Sequence, residues 1–250
     1  GPVMRVATYE RGRLRFWTDP FEINVSNEFH FFTPSDSVQD VTLFAKYTLR
    51  ADEMFLNRMI GGTFEGSNDP DFREKEVLYL INEKPKRLQT VVQSYSSKSY
   101  RYVRYIGPKD SHCNIAEAAF YTPNDTASLK GKVIGTPGCF QKDGSHEYTN
   151  VFDGDVTTSF DYIEPSGGWS GLDLGTPKQI GRIVYTPRSY DNYIRSGDDY
   201  ELFYCARRNN WKSLGDQRSK ADSLIYIKIP VNALLLLCNN TRGIQERIFV

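Results

Sequence analysis

Histidine and methionine are scarce in this chain, at three residues each. An excess of either charge is missing altogether, because 31 Lys plus Arg balance 31 Asp plus Glu. A balanced chain has no electrostatic drive toward DNA, RNA or anionic lipid, so nucleic acid is not an expected partner. No run of about 18 apolar residues occurs, so no membrane insertion is expected. The longest apolar stretch, Ala233 to Cys238, is of strand length. Cysteine is sparse too. Cys113, Cys139, Cys205 and Cys238 form no Cys-x-x-Cys pair, which argues against a zinc ribbon or a redox motif. Free buried thiols are the expected state, with disulfides open to a chain in an oxidising compartment. Gly-x-Ser-x-Gly elbows, phosphate loops and His-Glu-x-x-His helices are absent. The nominal pairs Cys139 with His146 and Cys113 with His112 have no orienting third group in sequence, so no catalytic residue is expected. Long stretches with apolar residues at helical spacing are also missing.

Short β-branched and aromatic runs fill the 250 residues instead, and aromatics reach 14%. Val41 to Tyr47, Val77 to Ile81, Tyr102 to Ile106, Ile180 to Tyr185, Tyr200 to Tyr204 and Leu224 to Ile229 are examples, each closed by Gly, Pro, Asn or Asp. Such spacing predicts an all-β chain of sandwich or barrel type. The turn-rich segment Thr122-Pro123-Asn124-Asp125-Thr126 divides it almost in half. Two antiparallel jelly-roll β-sandwiches are therefore expected, over residues 1–123 and 124–250. The first 35 or so residues fit either the front of the first module or the tail of a preceding domain. The opening Gly1-Pro2 reads as a cloning remnant, and the end at Val250 suggests a piece of a larger protein.

A weak internal repeat supports the division. Ile115 to Phe120 and Ile244 to Phe249 both read Ile-x-Glu-x-x-Phe, with Glu117 and Glu246 as the shared acids. The second half also carries a succession of motifs. Asp153-Gly154-Asp155 is followed by Thr157 and Thr158. Trp169 then leads into Leu172-Asp173-Leu174-Gly175, and Ile183-Val184-Tyr185-Thr186 ends in Pro187-Arg188. In this order, closed by the Glu246 strand, residues 128–250 resemble the discoidin, or coagulation factor type C, domains of the galactose-binding-like fold. Many bacterial carbohydrate-binding modules belong to that family. In the first half only the later portion, from Phe64 through Tyr102 to Glu117, resembles it.

The resemblance implies non-catalytic carbohydrate-binding modules of a larger exported bacterial protein, monomeric and periplasmic, cell-surface or secreted. The alternative is a structural or protein-interaction spacer for an upstream catalytic domain. It also implies a structural Ca²⁺ held by Asp153, Asp155, Thr158 and Glu246, with no matching loop facing Glu117. Calcium needs several hard oxygens from a tight loop, and Gly154 permits the turn. A plain Asx-type turn accounts for the same residues without metal. Sugar hydroxyls take planar polar side chains beside aromatic rings. The loop with Arg188, Tyr190, Asn192 and Tyr193 offers both, as does the loop with Phe140 and His146. Trp169 and Trp211 are read as core residues, and Trp17 has no assigned role.

Overall fold

The structure, a computed structural model, describes residues 3–46, 55–189 and 192–249, with side chains described to residue 243. Contacts gather the chain into two compact units. One joins Gly1–Thr48 to Tyr193–Val250, and the other is the continuous stretch Leu49–Asn192. We call them the outer and central units.

The outer unit begins with two hairpins. β1 (Ala7–Glu10) pairs antiparallel with β2 (Arg13–Phe16), and β3 (Phe21–Ile23) with β4 (Phe29–Phe31). β5 (Val38–Leu43) follows, with Val41 and Leu43 turned inward at the two-residue spacing of a strand.

The central unit carries β6 (Thr63–Ser67), β7 (Lys75–Leu80), β8 (Thr90–Gln93), β9 (Ser99–Ile106) and β10 (Ile115–Tyr121). After them come β11 (Lys132–Gly135), a 3-10 helix at Tyr148–Phe152, β12 (Trp169–Gln179) and β13 (Arg182–Pro187). A five-stranded sheet runs β11-β12-β9-β6-β7 and a three-stranded sheet β10-β13-β8, all antiparallel. One apolar core serves both sheets. The Phe64 ring on β6 lies 5.3 Å from that of Tyr185 on β13 and 6.0 Å from that of Phe120 on β10.

The chain then returns to the outer unit as β14 (Asp199–Arg207), β15 (Asn210–Arg218), β16 (Leu224–Pro230), β17 (Leu234–Asn239) and β18 (Ile244–Phe249). Its four-stranded sheet runs β15-β14-β17-β18, and β16 pairs with β5 from the far side of the central stretch of sequence. Alternation decides the faces. On β16, Leu224, Tyr226 and Ile229 are buried while Ile225 and Ile227 are exposed. Tyr200, Leu202, Leu235 and Leu237 complete this second core.

This is the expected all-β architecture of antiparallel sheets, but the chain is divided elsewhere. The turn at Pro123 lies inside the central unit. β10 before it pairs with β13 after it, and β9 before it pairs with β12 after it. The physical reason is burial: the inward rings of β6 and β10 find their partners on strands that follow Pro123. The turn is itself tightly packed. The Gly181 N–H donates to Tyr121 O at 2.9 Å, and a Cβ on Gly181 would come within 2.4 Å of Pro123 Cα. The two Ile-x-Glu-x-x-Phe segments are both strands, yet they do not close the halves as expected. β18 with Glu246 pairs with β17 in the outer unit, whereas β10 with Glu117 joins the strands that follow the Asp-Gly-Asp loop.

Candidate functional site

The Asp-Gly-Asp loop follows the 3-10 helix of the central unit, and a net of side chains closes it. Gly154 turns the chain at φ +84, a left-handed conformation that a Cβ disfavours. Asp153 Oδ1 accepts the Asp155 N–H at 2.7 Å, and Asp153 Oδ2 accepts the Thr158 hydroxyl at 2.8 Å. Asp155 Oδ1 accepts both the N–H and the hydroxyl of Thr157, at 2.9 and 2.6 Å. These are the local bonds short polar side chains make in place of a ladder.

A strand glutamate faces this loop, and it is Glu117. Its Oε1 accepts the Gly154 N–H at 2.9 Å. Burial first, and then the adjacent Asp153, push its carboxyl up to about 8, because both disfavour a second negative charge there. Glu246 had been expected in this role. It lies on β18 of the outer unit opposite Leu237, and its side chain is outside the described residues. Among the described residues no three His, Cys, Asp or Glu side chains form a metal-holding group.

The sugar-contact loops are expected at one end of the 124–250 sandwich, and among these residues the structure separates anchors from exposed groups. Arg188, just past β13, is 5% exposed. Its Nη1 donates to Asp161 Oδ2 at 2.6 Å and to Asn114 Oδ1 at 3.3 Å, and its guanidinium lies 4.6 Å from the Phe55 ring centre. Arg188 is thus an anchor and not an open contact. A guanidinium this deep is stable only when paired, and the partner is the Asp161 carboxylate, 27 residues upstream. Asn192 is also buried. Its N–H donates to Ser189 O at 3.1 Å. Tyr190 lies outside the described residues. Tyr193 is buried and falls in the outer unit, so it does not share this loop's unit.

The anchor holds an unusual backbone. Asp110, His112, Cys113 and Asn114 adopt φ values of 60, 54, 72 and 36. Left-handed non-glycine residues are uncommon, and a run of three costs free energy that surrounding contacts must offset. Arg188 and Asp161 supply them through Asn114, whose side chain also donates to Ser111 O. The result places the His112 ring edge-on to Phe140 at 5.0 Å, with Phe140 56% exposed. His112 Nδ1 meets Tyr162 O at 2.8 Å, which fixes the ring. Phe140 is fixed in turn by its N–H, which donates to Asp161 O at 2.8 Å.

His146 is half-buried and its Nδ1 lies 3.3 Å from both Ser159 O and Ser159 Oγ. Nearby, two bonds from Ser145 hold the Asp143 carboxyl below its ordinary range. Neither nominal cysteine–histidine pair is bonded together. Cys139 Sγ approaches Asp143 at 3.6 Å, and burial pushes the Cys113 thiol well up, away from thiolate character. All four cysteines are free, as expected.

Trp169 is structural, as read from its place on β12. Arg104 lies 5.1 Å from the Trp169 ring and 4.0 Å from that of Phe72, and its Nη2 pairs with Glu65 Oε2 at 2.7 Å. Asn114, Asp161 and His112 lie in polar segments and carry no local sequence signal that sets them apart. Comparison of the chain with protein-family models, with curated proteins and with solved structures returned no match.

Proposed function

We propose that the chain is a non-catalytic, glycan-binding accessory region of a larger exported protein, built on a jelly-roll sandwich of discoidin type. The observation that carries this reading is the Phe140–His112 pair. An aromatic ring stands open to solvent beside a fixed imidazole, on a strained loop platform that buried polar groups hold in place. An exposed ring offers the apolar face of a pyranose a stacking surface, and neighbouring polar groups take its hydroxyls. Rigid placement lowers the ordering cost of binding. Arg188 acts here as a positioning residue for Asn114, in place of the direct contact first expected.

Calorimetry of the whole chain against a broad panel of plant and host polysaccharides tests the reading. Binding is expected with a dissociation constant of about millimolar to micromolar, as suits one small, wet polar site. Phe140→Ala is expected to remove the binding that this site contributes. Failure of every glycan would overturn the proposal and favour the spacer reading. The burial of Arg188 and Asn192 is the observation that favours that alternative.

A hard cation such as Ca²⁺ takes several oxygens from a tight loop, and we propose this loop as its place. Asp153, Asp155 and Thr158 would hold it, with Glu117 in the place first given to Glu246. A cation would supply positive charge beside two carboxylates that otherwise repel, and so stiffen the loop. Added Ca²⁺ is then expected to raise the melting temperature by mass action, and Glu117→Gln to remove most of that rise. An unchanged melting temperature in the parent chain would refute the calcium site.

A further inference from the structure

A second concavity lies in the outer unit, away from every residue assigned above. It has a volume of about 610 Å³ and is lined by Val3, Met4, Arg5, Phe16, Asn209, Trp211 and Leu236. The size falls within the range of small-ligand sites. Its chemistry is uneven in an informative way. Two aromatic rings and three aliphatic side chains form the apolar part. The polar part is one guanidinium and one amide, and the lining holds a positive charge with no carboxylate.

The polar pair is positioned. The Arg5 guanidinium lies 5.2 Å from the Phe16 ring centre, and its Nη1 donates to Asn209 Oδ1. Asn209 sits in the tight turn between β14 and β15, where Arg207 pairs with Asn210. Arg208, the other turn residue, has φ 50. Its N–H donates to Asp19 Oδ1 at 2.7 Å, and the Thr33 hydroxyl donates to Asp19 Oδ2 at 3.0 Å. Asp19 therefore spends its carboxylate on fixing the turn that presents Asn209. Arg5 makes no ion pair with a described carboxylate. A guanidinium has five N–H donors, and Asn209 occupies one of them.

We infer that this concavity binds a saccharide carrying a carboxylate, of the uronic acid class. The Trp211 and Phe16 rings receive an apolar sugar face, Arg5 takes the carboxylate, and the Asn209 amide takes a hydroxyl. Charge complementarity decides between an acidic and a neutral sugar. A lone guanidinium beside aromatic rings matches a planar carboxylate better than it matches a hydroxyl. The inference rests on the glycan-binding reading and adds a second site and a ligand class to it.

The test is calorimetry of the whole chain with a galacturonate oligomer and with its methyl ester, which has the same rings and no charge. The acid is expected to bind about tenfold tighter than the ester, the size of one charge-assisted hydrogen bond. Raising the salt should erode that preference. Arg5→Gln should bring the affinity for the acid down to that of the ester, with the melting temperature unchanged. Asn209→Ala, at an exposed turn position, should weaken both ligands. Equal binding of acid and ester by the parent chain would overturn the inference. So would undiminished binding of the acid by Arg5→Gln. If glycan binding is lost with Phe140→Ala and not with Arg5→Gln, the glycan reading stands and this inference falls. If no glycan in any panel binds, both fall.

Discussion

The central and outer units use the same strands to different ends. The central unit is one continuous stretch of chain, and it buries charge. Arg104 with Glu65, and Arg188 with Asp161, are ion pairs between side chains each less than 12% exposed. The outer unit is assembled from two distant segments. There the ion pair of Arg242 with Asp198 leaves the arginine side chain 45% exposed. It also displays large apolar groups: Tyr9, Leu14, Ile225 and Ile227 are each more than 60% exposed. Buried pairs cost desolvation and are weak sources of stability, but they fix geometry when every partner is present. The central unit therefore holds a defined loop platform, whereas the outer unit offers open apolar surface.

The sharpest way to break this contrast is to remove one member of a buried pair. Arg188→Met leaves Asp161 buried without its cation, and a loss of about 3–5 kcal/mol is expected. Urea denaturation measures it. A loss below about 1 kcal/mol, the range of exposed pairs, would erase the distinction between the units. Core truncation should act on both units alike. Phe120→Ala in one and Leu202→Ala in the other should each cost about 2–5 kcal/mol, which confirms that each has a real core. If Leu202→Ala proves neutral, the outer unit is not the packed body described here.

Acid titration sharpens the contrast within the central unit. The Lys98 ammonium, followed by the Ser96 and Tyr100 hydroxyls, lowers Glu76 from 4.5 to about 2. A carboxylate with a depressed folded pKa contributes stability that is complete above its unfolded value. That contribution is lost as pH falls from about 4.5 toward 2. Glu76→Gln should flatten the fall in stability across this window. An identical slope in the variant would show that the Lys98 bond contributes nothing. The smallest effect is expected at the exposed hairpin, where Leu14→Ser should change stability by less than about 0.5 kcal/mol. A larger loss would mean that this surface is covered.

Strands were legible because period-two burial is a local property. The Ile-x-Glu-x-x-Phe segments, the run before Pro187 and the alternation at Leu224 to Ile229 all form strands over the residues read. Pairing was not legible, because alternation says which face is buried and not which strand lies alongside. The turn at Pro123 has the composition of a linker, and the strand pairing across it and its packing against Gly181 show otherwise. The site was legible in the same partial way. Glu117 has no neighbouring loop in the sequence, since the glutamate of β10 and the loop it faces are 37 residues apart. Arg188 reads as an exposed polar residue in the sequence, because its partner Asp161 lies 27 residues upstream. Cys139 and His146 were close in sequence, yet His146 lies beside Ser159 and Cys139 beside Asp143.

The central claim is that strands from both sides of Pro123 form one sandwich, and that this brings Glu117 to the Asp-Gly-Asp loop. Native-state hydrogen exchange tests it directly, because strands of one cooperative body open together. The amides of β9 and β10 should show the same opening free energy as those of β12 and β13, and Phe120→Ala should lower all four together. Separate opening of residues 63–121 and 132–187, with Phe120→Ala felt only in the first, would contradict it.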